Sequence, residues 1–147
     1  MGQKMNKILL VEDNLNDIEL TLDAFAEHNL ANSVDVVRDG EEALDYLFRR
    51  GQYSERENVT PTLVMLDVKL PKISGLEVLK QIKNNEKLKK IPIVMLTSSN
   101  ENRDVDEAYT LGTNAYVVKP VDFHDFVDVV KHLGVFWGLI NEASLIN

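Results

Sequence analysis

Leu63-Val64-Met65-Leu66-Asp67 is the stretch on which the fold turns. Four apolar residues run without alternation and end on an acid. A short continuous run of this kind fits a strand buried on both faces of a parallel sheet. Working outward, four more runs have comparable length. Ile8-Leu9-Leu10-Val11 precedes Glu12-Asp13, and Val34-Asp35-Val36-Val37 follows about twenty residues later. Ile91-Pro92-Ile93-Val94-Met95-Leu96 precedes Thr97-Ser98-Ser99, and Ala115-Tyr116-Val117-Val118 precedes Lys119-Pro120. Four of the five are nearly continuous and read as doubly buried strands. The run broken by Asp35 reads as an edge strand.

Helical patterns fill the gaps between the runs. Ser74-Gly75-Leu76-Glu77 is a capping box that opens a helix to about Asn84. Asp39-Gly40-Glu41-Glu42 follows the same logic, with a helix to about Phe48. A first helix is expected from about Asp17 to Glu27. Gly112 stands where a helix stop belongs, after Ala108-Tyr109-Thr110-Leu111. Asp122 caps a last helix, with Asp125 at its third position. Strands alternating with helices imply right-handed βαβ units and a doubly wound α/β fold. The expected sheet has five parallel strands in the order 2-1-3-4-5. Gly51 to Thr60 is the one long loop candidate.

The chain has 147 residues and no cysteine, with 44% hydrophobic and 27% charged residues. That suits one soluble domain and excludes a disulfide framework, a Cys-ligated metal and a thiol nucleophile. The 24 acids against 16 Lys and Arg give a net charge of −8, which argues against direct nucleic-acid binding. The first apolar run is too short for a signal peptide, and no stretch is long enough to span a membrane. The expectation is a cytoplasmic single-domain protein without membrane contact. Residues 68–96 are the exception to the acidity, with 2 acids and 7 bases. Lys80, Lys83, Lys87, Lys89 and Lys90 carry most of that charge, and they read as a solvated helix end and loop.

Phe123, Phe126, Val130, Leu133, Trp137 and Ile140 step by 3, 4, 3, 4 and 3. That is one apolar stripe at helical period, widened by Val129 and Phe136. Its first half reads as packing on the sheet. From Val135 to Ile140 an association surface and added core are both open.

The chemistry-bearing residues sit where strands end. In an open parallel sheet, ligands bind beyond the carboxyl ends of the strands, where strand order reverses. Strands 1 and 3 are neighbours there, so Glu12, Asp13 and Asp67 should share one crevice. Two unit charges about 4 Å apart repel by about 4 kcal/mol at an effective dielectric of about 20. A raised pKa, a hard divalent cation such as Mg²⁺, or the ammonium of Lys119 could each offset this. Thr97 adds a hydroxyl to the same mouth. Metal and lysine around a carboxylate are also what phosphoryl transfer requires.

With these residues in view, the sequence resembles the receiver domain of two-component response regulators. The resemblance rests on Leu10-Val11-Glu12-Asp13-Asn14, Leu66-Asp67-Val68-Lys69-Leu70-Pro71, Ser74-Gly75, Leu96-Thr97 and Tyr116-Val117-Val118-Lys119-Pro120. It implies the flavodoxin-like receiver fold over all 147 residues as a single domain, with a core of about 7–133 and a C-terminal helix extension of about 134–147. It implies that Asp67 accepts a phosphoryl group from a sensor histidine kinase or phosphotransfer protein. Asp13, Asp67 and the Lys69 backbone carbonyl would ligate Mg²⁺, and Glu12 would hold a metal-bound water. Lys119 would contact phosphoryl oxygens, aimed inward by a cis Lys119-Pro120 bond. Thr97 and Tyr116 would be the switch pair, and Ser98 would leave room for the phosphoryl group. Lys69 and Ser99 stand where the family tunes phosphoryl lifetime.

The protein would then be a signalling switch with self-phosphorylation and autodephosphorylation chemistry rather than an enzyme, acting on an unknown downstream protein. A homodimer through helix 4, strand 5 and helix 5, or through the C-terminal extension, is compatible with that. The long loop and the Phe136-Trp137 ending are similar to stand-alone receivers of the cyanobacterial phytochrome-partner type.

Three rival readings are weaker. An aspartate-nucleophile phosphatase would usually have a second Asp two residues after the nucleophile, where this chain has Lys69. A nucleotide-binding module of the same fold would need a Gly-rich cradle after strand 1, where the chain is acidic instead. A DNA-binding regulator would need a second domain, for which no residues remain. His28, His124 and His132 have no ligand spacing.

Overall fold

The computed structural model describes residues 7–28, 30, 33–57, 60–98 and 102–134. Five parallel strands form one sheet in the order β2-β1-β3-β4-β5. They are β1 (Ile8–Val11), β2 (Val34–Val37), β3 (Leu63–Asp67), β4 (Ile93–Thr97) and β5 (Ala115–Val118). The helices are α1 (Leu15–Ala26), α2 (Gly40–Phe48), α3 (Gly75–Lys83), α4 (Asn102–Leu111) and α5 (Phe123–Leu133). Strand order, helix order and the edge position of β2 all match the expectation from sequence.

Side-chain alternation along the strands divides the core in two. Leu9, Val11, Val64, Leu66, Ile93 and Met95 meet α2, α3 and α4 on one face. Ile8, Leu10, Leu63, Met65, Val94, Leu96 and Val117 meet α1 and α5 on the other. Both sets of β1 and β3 residues are fully buried, so continuous apolar runs were needed there. Phe25 of α1 and Phe126 of α5 stack at 4.6 Å between ring centroids and close the second layer.

Three elements depart from expectation. β5 is an edge strand with one buried side chain, Val117; Tyr116 and Val118 face solvent. Its continuous apolar run therefore reflects an exposed outer face rather than double burial. α1 begins at Leu15, because Asn14 caps it and accepts the Asp17 N–H at 2.9 Å. The expected start at Asp17 mistook the third helical residue for the first. α5 ends at Leu133, where Gly134 takes the left-handed conformation (φ 80°) as its C-cap. The apolar stripe thus stops being one helix at Gly134. Residues 135–147, including Phe136, Trp137 and Ile140, lie outside the described residues.

The long loop after α2 starts as a 3-10 turn, Gly51–Tyr53. Side chains tie it down. Tyr53 donates to Glu42 at 2.6 Å, and Arg56 donates to the Tyr46 carbonyl at 2.7 Å while lying 4.1 Å over the Tyr46 ring. Tyr46 in turn donates to Asp35 at 2.6 Å. Burial and these carboxylate partners raise both tyrosine pKa values, so both stay protonated donors.

The loop between β3 and α3 is held from two sides by glycines. A Cβ on Gly75 would stand 1.9 Å from the Asp67 carbonyl oxygen, and one on Gly40 would stand 2.0 Å from that of Ile73. Both neighbours are backbone and cannot rotate away. Gly75 also donates its N–H to Val68 at 3.0 Å. Gly75→Ala should therefore lower the melting temperature markedly, at the upper end of the roughly 1–3 kcal/mol typical of overpacking. Gly134→Ala, with open space around its Cβ position but a positive φ, should cost less. Thermal unfolding of the two variants checks this ranking, and equal melting temperatures would contradict it.

Candidate functional site

The carboxyl ends of β1 and β3 bring three acids together. Single oxygens of Glu12, Asp13 and Asp67 lie within 4.8 Å of one another. β1 and β3 pair directly, Val11 opposite Leu66, so the residues that follow each are forced side by side. Glu12 is 1% exposed and Asp67 4%, while Asp13 is more open to solvent.

Lys119 reaches this cluster from the end of β5. Its N–H is bonded to the Thr97 carbonyl at 2.8 Å, which anchors the turn to β4. The Lys119–Pro120 bond is cis. Nζ donates to Asp67 Oδ2 at 2.9 Å, Asp17 Oδ2 at 3.1 Å and Glu12 Oε1 at 3.2 Å. Burial alone would lower the lysine pKa, but the hydrogen bonds and charges of Asp67, Asp17 and Glu12 outweigh it and push the ammonium up. The lysine is held charged.

Glu12 behaves oppositely. Burial, and then the hydrogen bond and charge of Asp67, push its carboxyl up to about 7, against the pull of the Asn14 N–H and Lys119. Its Oε2 accepts the Asn14 N–H at 3.2 Å, and Asp67 Oδ1 accepts the Lys69 N–H at 3.1 Å. Two of the three remedies expected for crowded carboxylates are therefore present together: a raised pKa and a lysine.

Asp13 is fixed through its backbone. Arg38, just beyond β2, donates from its guanidinium to the Asp13 carbonyl at 2.8 Å, and its own N–H goes to Glu42 at 2.8 Å. An open groove of about 550 Å³ lies beside the acids, lined by Asp13, Val68, Lys69, Leu70, Pro71, Ser74 and Leu76. Of the three clustered acids, Asp13 lines it.

The donor set fits a hard divalent cation: three carboxylates with oxygen atoms in one small volume and an open side. Lys69 borders the same groove. Thr97 is buried, and its hydroxyl donates to the Ser98 carbonyl at 3.1 Å. Tyr116 is not gathered into the crevice. Its ring stands outward, edge-on to Tyr109 of α4 at 6.0 Å. Ser98 is exposed, and Ser99 lies outside the described residues.

Sequence reasoning passed over two contributors. Asp17 was read as a helix start, although the spacing Asn14-x-x-Asp17 is a capping signal that turns residue 17 back toward the strand end. Arg38 carried no motif, and its role appears only when β2 is laid beside β1.

The model of the response regulator receiver domain family matches residues 8–131. The chain is similar to the structure of the bacteriophytochrome response regulator AtBRR, with 53% identity and a TM-score of 0.85, covering 95% of this chain and 99% of that one. It is 41% identical over 130 residues to the probable methanogenesis regulatory protein FilR2 of Methanothrix harundinacea, covering 88% of this chain and 82% of that protein. It is 37% identical over 130 residues to response regulator Rcp1 of Synechocystis, covering 88% of this chain and 87% of Rcp1. The crystal structure of the Mn²⁺-bound form of Rcp1 aligns with a TM-score of 0.73 over 90% of this chain and 94% of that one. With its strand order, its acidic crevice and its basic partner all in place, the chain belongs to the response regulator receiver family of two-component signalling, among relatives that include bacteriophytochrome response regulators.

Proposed function

We propose that this protein accepts a phosphoryl group on Asp67 from a sensor histidine kinase or phosphotransfer protein, in a Mg²⁺-dependent reaction. The observation that carries the reading is Lys119 Nζ at 2.9 Å from Asp67, inside a crevice shared with Glu12 and Asp13. An Asp67 carboxylate oxygen attacks phosphorus, the phosphorus–nitrogen bond of the donor phosphohistidine breaks, and the imidazole leaves. Asp13, Asp67 and the Lys69 carbonyl would hold the cation, and Glu12 would serve it through a water. The cation supplies positive charge between the carboxylates and the incoming phosphoryl oxygens. Its identity as Mg²⁺ draws support from the hard oxygen donors and from the Mn²⁺-bound Rcp1 structure. Lys119 contributes the fixed positive charge, and the Thr97 hydroxyl donates to the phosphoryl group.

The product is a switch rather than a turnover catalyst. Lys69 stands where a phosphatase would carry an acid, so acquisition and loss of the phosphoryl group are single events that a partner reads. Phosphorylation adds about −1.5 to −2 charges at Asp67. Thr97 and Tyr116 form the responding pair. Tyr109, Tyr116 and Val118 are exposed together on the α4–β5 side, an apolar surface that supports homodimerisation or contact with a downstream protein there. The receiver family match spans residues 8–131, and a cytoplasmic place of work fits that family; among the described residues no helix is long and apolar enough to cross a membrane.

Asp67→Asn should abolish acid-labile labelling by acetyl phosphate with Mg²⁺; undiminished labelling of that variant would overturn the assignment. Mg²⁺ affinity should rise between pH 6 and pH 8, because the Glu12 carboxyl, pushed up to about 7, must lose its proton to serve the cation. In the cation-free protein the same raised pKa favours the folded state below about pH 4.5, and that preference is lost as pH rises through about 7. Calorimetric Mg²⁺ titration of the native protein and Glu12→Gln checks the first claim. A flat pH profile for the native protein would remove Glu12 from the cation's shell. Light scattering after size exclusion, with and without beryllofluoride, tests the dimer, and an unchanged mass would exclude activation-driven dimerisation.

A further inference from the structure

The Lys119 ammonium has three N–H bonds and three carboxylate acceptors within 3.2 Å. Two of those acceptors, Glu12 and Asp67, also belong to the oxygen cluster that suits a cation, whereas the third, Asp17, does not. We propose that Asp17 is a positioning residue for Lys119: it holds the ammonium at the outer side of the crevice when a cation claims Glu12 and Asp67. The proposal rests on the phosphoryl-acceptor reading only for its consequence in phosphorylation.

The geometry of Asp17 suits this task. Asn14 accepts its backbone N–H at 2.9 Å, which pins the residue in the first turn of α1. An acid there is favoured by the helix dipole whatever else it does. A capping role alone does not explain why its carboxylate also bonds a lysine 102 residues away, on the turn after β5. The side chain keeps 25% of its exposure, against 6% for Asp67, so it lies on the solvent side of the lysine. Without it, the ammonium keeps two acceptors, both inside the crevice. It would then sit deeper between Glu12 and Asp67 and repel the entering cation. Loss of one negative charge from the rim acts in the same direction. Asp17 therefore favours cation entry and keeps Lys119 where incoming phosphoryl oxygens can reach it.

The test uses the full chain with Asp17→Ala, Asp17→Asn and Asp17→Glu, and with Asp23→Asn as a control that removes an exposed charge from the same helix. Lysine-side-chain ¹⁵N NMR of the cation-free protein should show a protected Lys119 ammonium signal, identified by its loss in Lys119→Arg. The signal should move from its native position in Asp17→Ala, as the ammonium loses its outer acceptor and keeps the two inner ones, and should hold that position in Asp17→Glu and Asp23→Asn. The Mg²⁺ dissociation constant should rise about five- to tenfold in Asp17→Ala and Asp17→Asn, tenfold corresponding to about 1.4 kcal/mol. Asp17→Glu should return it to within about twofold of native. Phosphorylation by acetyl phosphate at saturating Mg²⁺ should slow in Asp17→Ala and recover in Asp17→Glu. A Lys119 signal unmoved in Asp17→Ala, or Mg²⁺ affinity unchanged in both Asp17→Ala and Asp17→Asn, would overturn the proposal. If Asp17→Ala does not fold, Asp17→Asn carries both measurements. The NMR and Mg²⁺ arms need no phosphorylation, so a native protein that takes no phosphoryl group would refute the acceptor reading while leaving the role of Asp17 decided separately.

Discussion

Everything at the top of this molecule depends on one balance of charge: an ammonium, Lys119, set among carboxylates that would otherwise repel one another. Glu12 and Asp67 are buried, where the penalty for an unpaired charge is largest. Lys119 offsets part of it and stays charged in return. Glu12 relieves a further part by holding its proton to about pH 7, which leaves the crevice acidic above that pH. The crevice is thus electrically incomplete without a cation. One lysine cannot neutralise Glu12, Asp13, Asp17 and Asp67 together, and the open side of the cluster faces a groove. An acidic site that stays short of positive charge is well suited to bind a divalent cation.

The balance requires that the four elements carrying these charges stay in register. Backbone contacts, more than side chains, hold them. The parallel pairing of β1 with β3 sets Glu12 and Asp13 against Asp67, and the pairing of β4 with β5 sets Thr97 beside the start of the Lys119 turn. Gly75 lets α3 close onto the Asp67 carbonyl, and Gly40 lets α2 press on Ile73. The loop bordering the groove is clamped between two helices at points where no Cβ fits. Arg38 and Glu42 add a hydrogen-bonded brace from α2 to the Asp13 backbone. Backbone contacts thus fix the strand ends, while the Glu12 and Asp67 side chains are held by Lys119.

Much of this was legible in the sequence, for identifiable reasons. Doubly buried strands must be apolar at every position, so β1, β3 and β4 announced themselves and their ends located Glu12, Asp13, Asp67 and Thr97. The caps Ser74, Asp39 and Asp122 act within three residues, a range that a linear reading covers, and all three were recovered. What escaped was long-range or ambiguous. β5 has the same apolar run as the buried strands, yet at the edge of the sheet Tyr116 and Val118 remain exposed on the α4 side. Asp17 bears on Lys119, 102 positions on, a pairing that neither α1 nor β5 encodes alone. The stripe from Phe123 to Ile140 kept its period across Gly134, but periodicity does not register a left-handed residue, and α5 stops there.

The edge position of β5 has a functional meaning that its apolar run concealed. One short strand carries Lys119 at its end and Tyr116 on its outer side, with Tyr109 of α4 edge-on to that ring. On the proposed acceptor reading, charge arriving at Asp67 would act on Lys119 and on the Thr97 side of the crevice, and both are joined to this strand: Lys119 N–H bonds the Thr97 carbonyl, and Thr97 pairs with Val118. A buried strand would transmit a displacement into packed core, where it is resisted by close-packed neighbours. An edge strand transmits it to solvent-facing aromatics, which can change rotamer at small cost. The exposure of Tyr116 and Val118 thus leaves the strand that carries Lys119 open to a partner on its outer side, which is what the proposed switch requires.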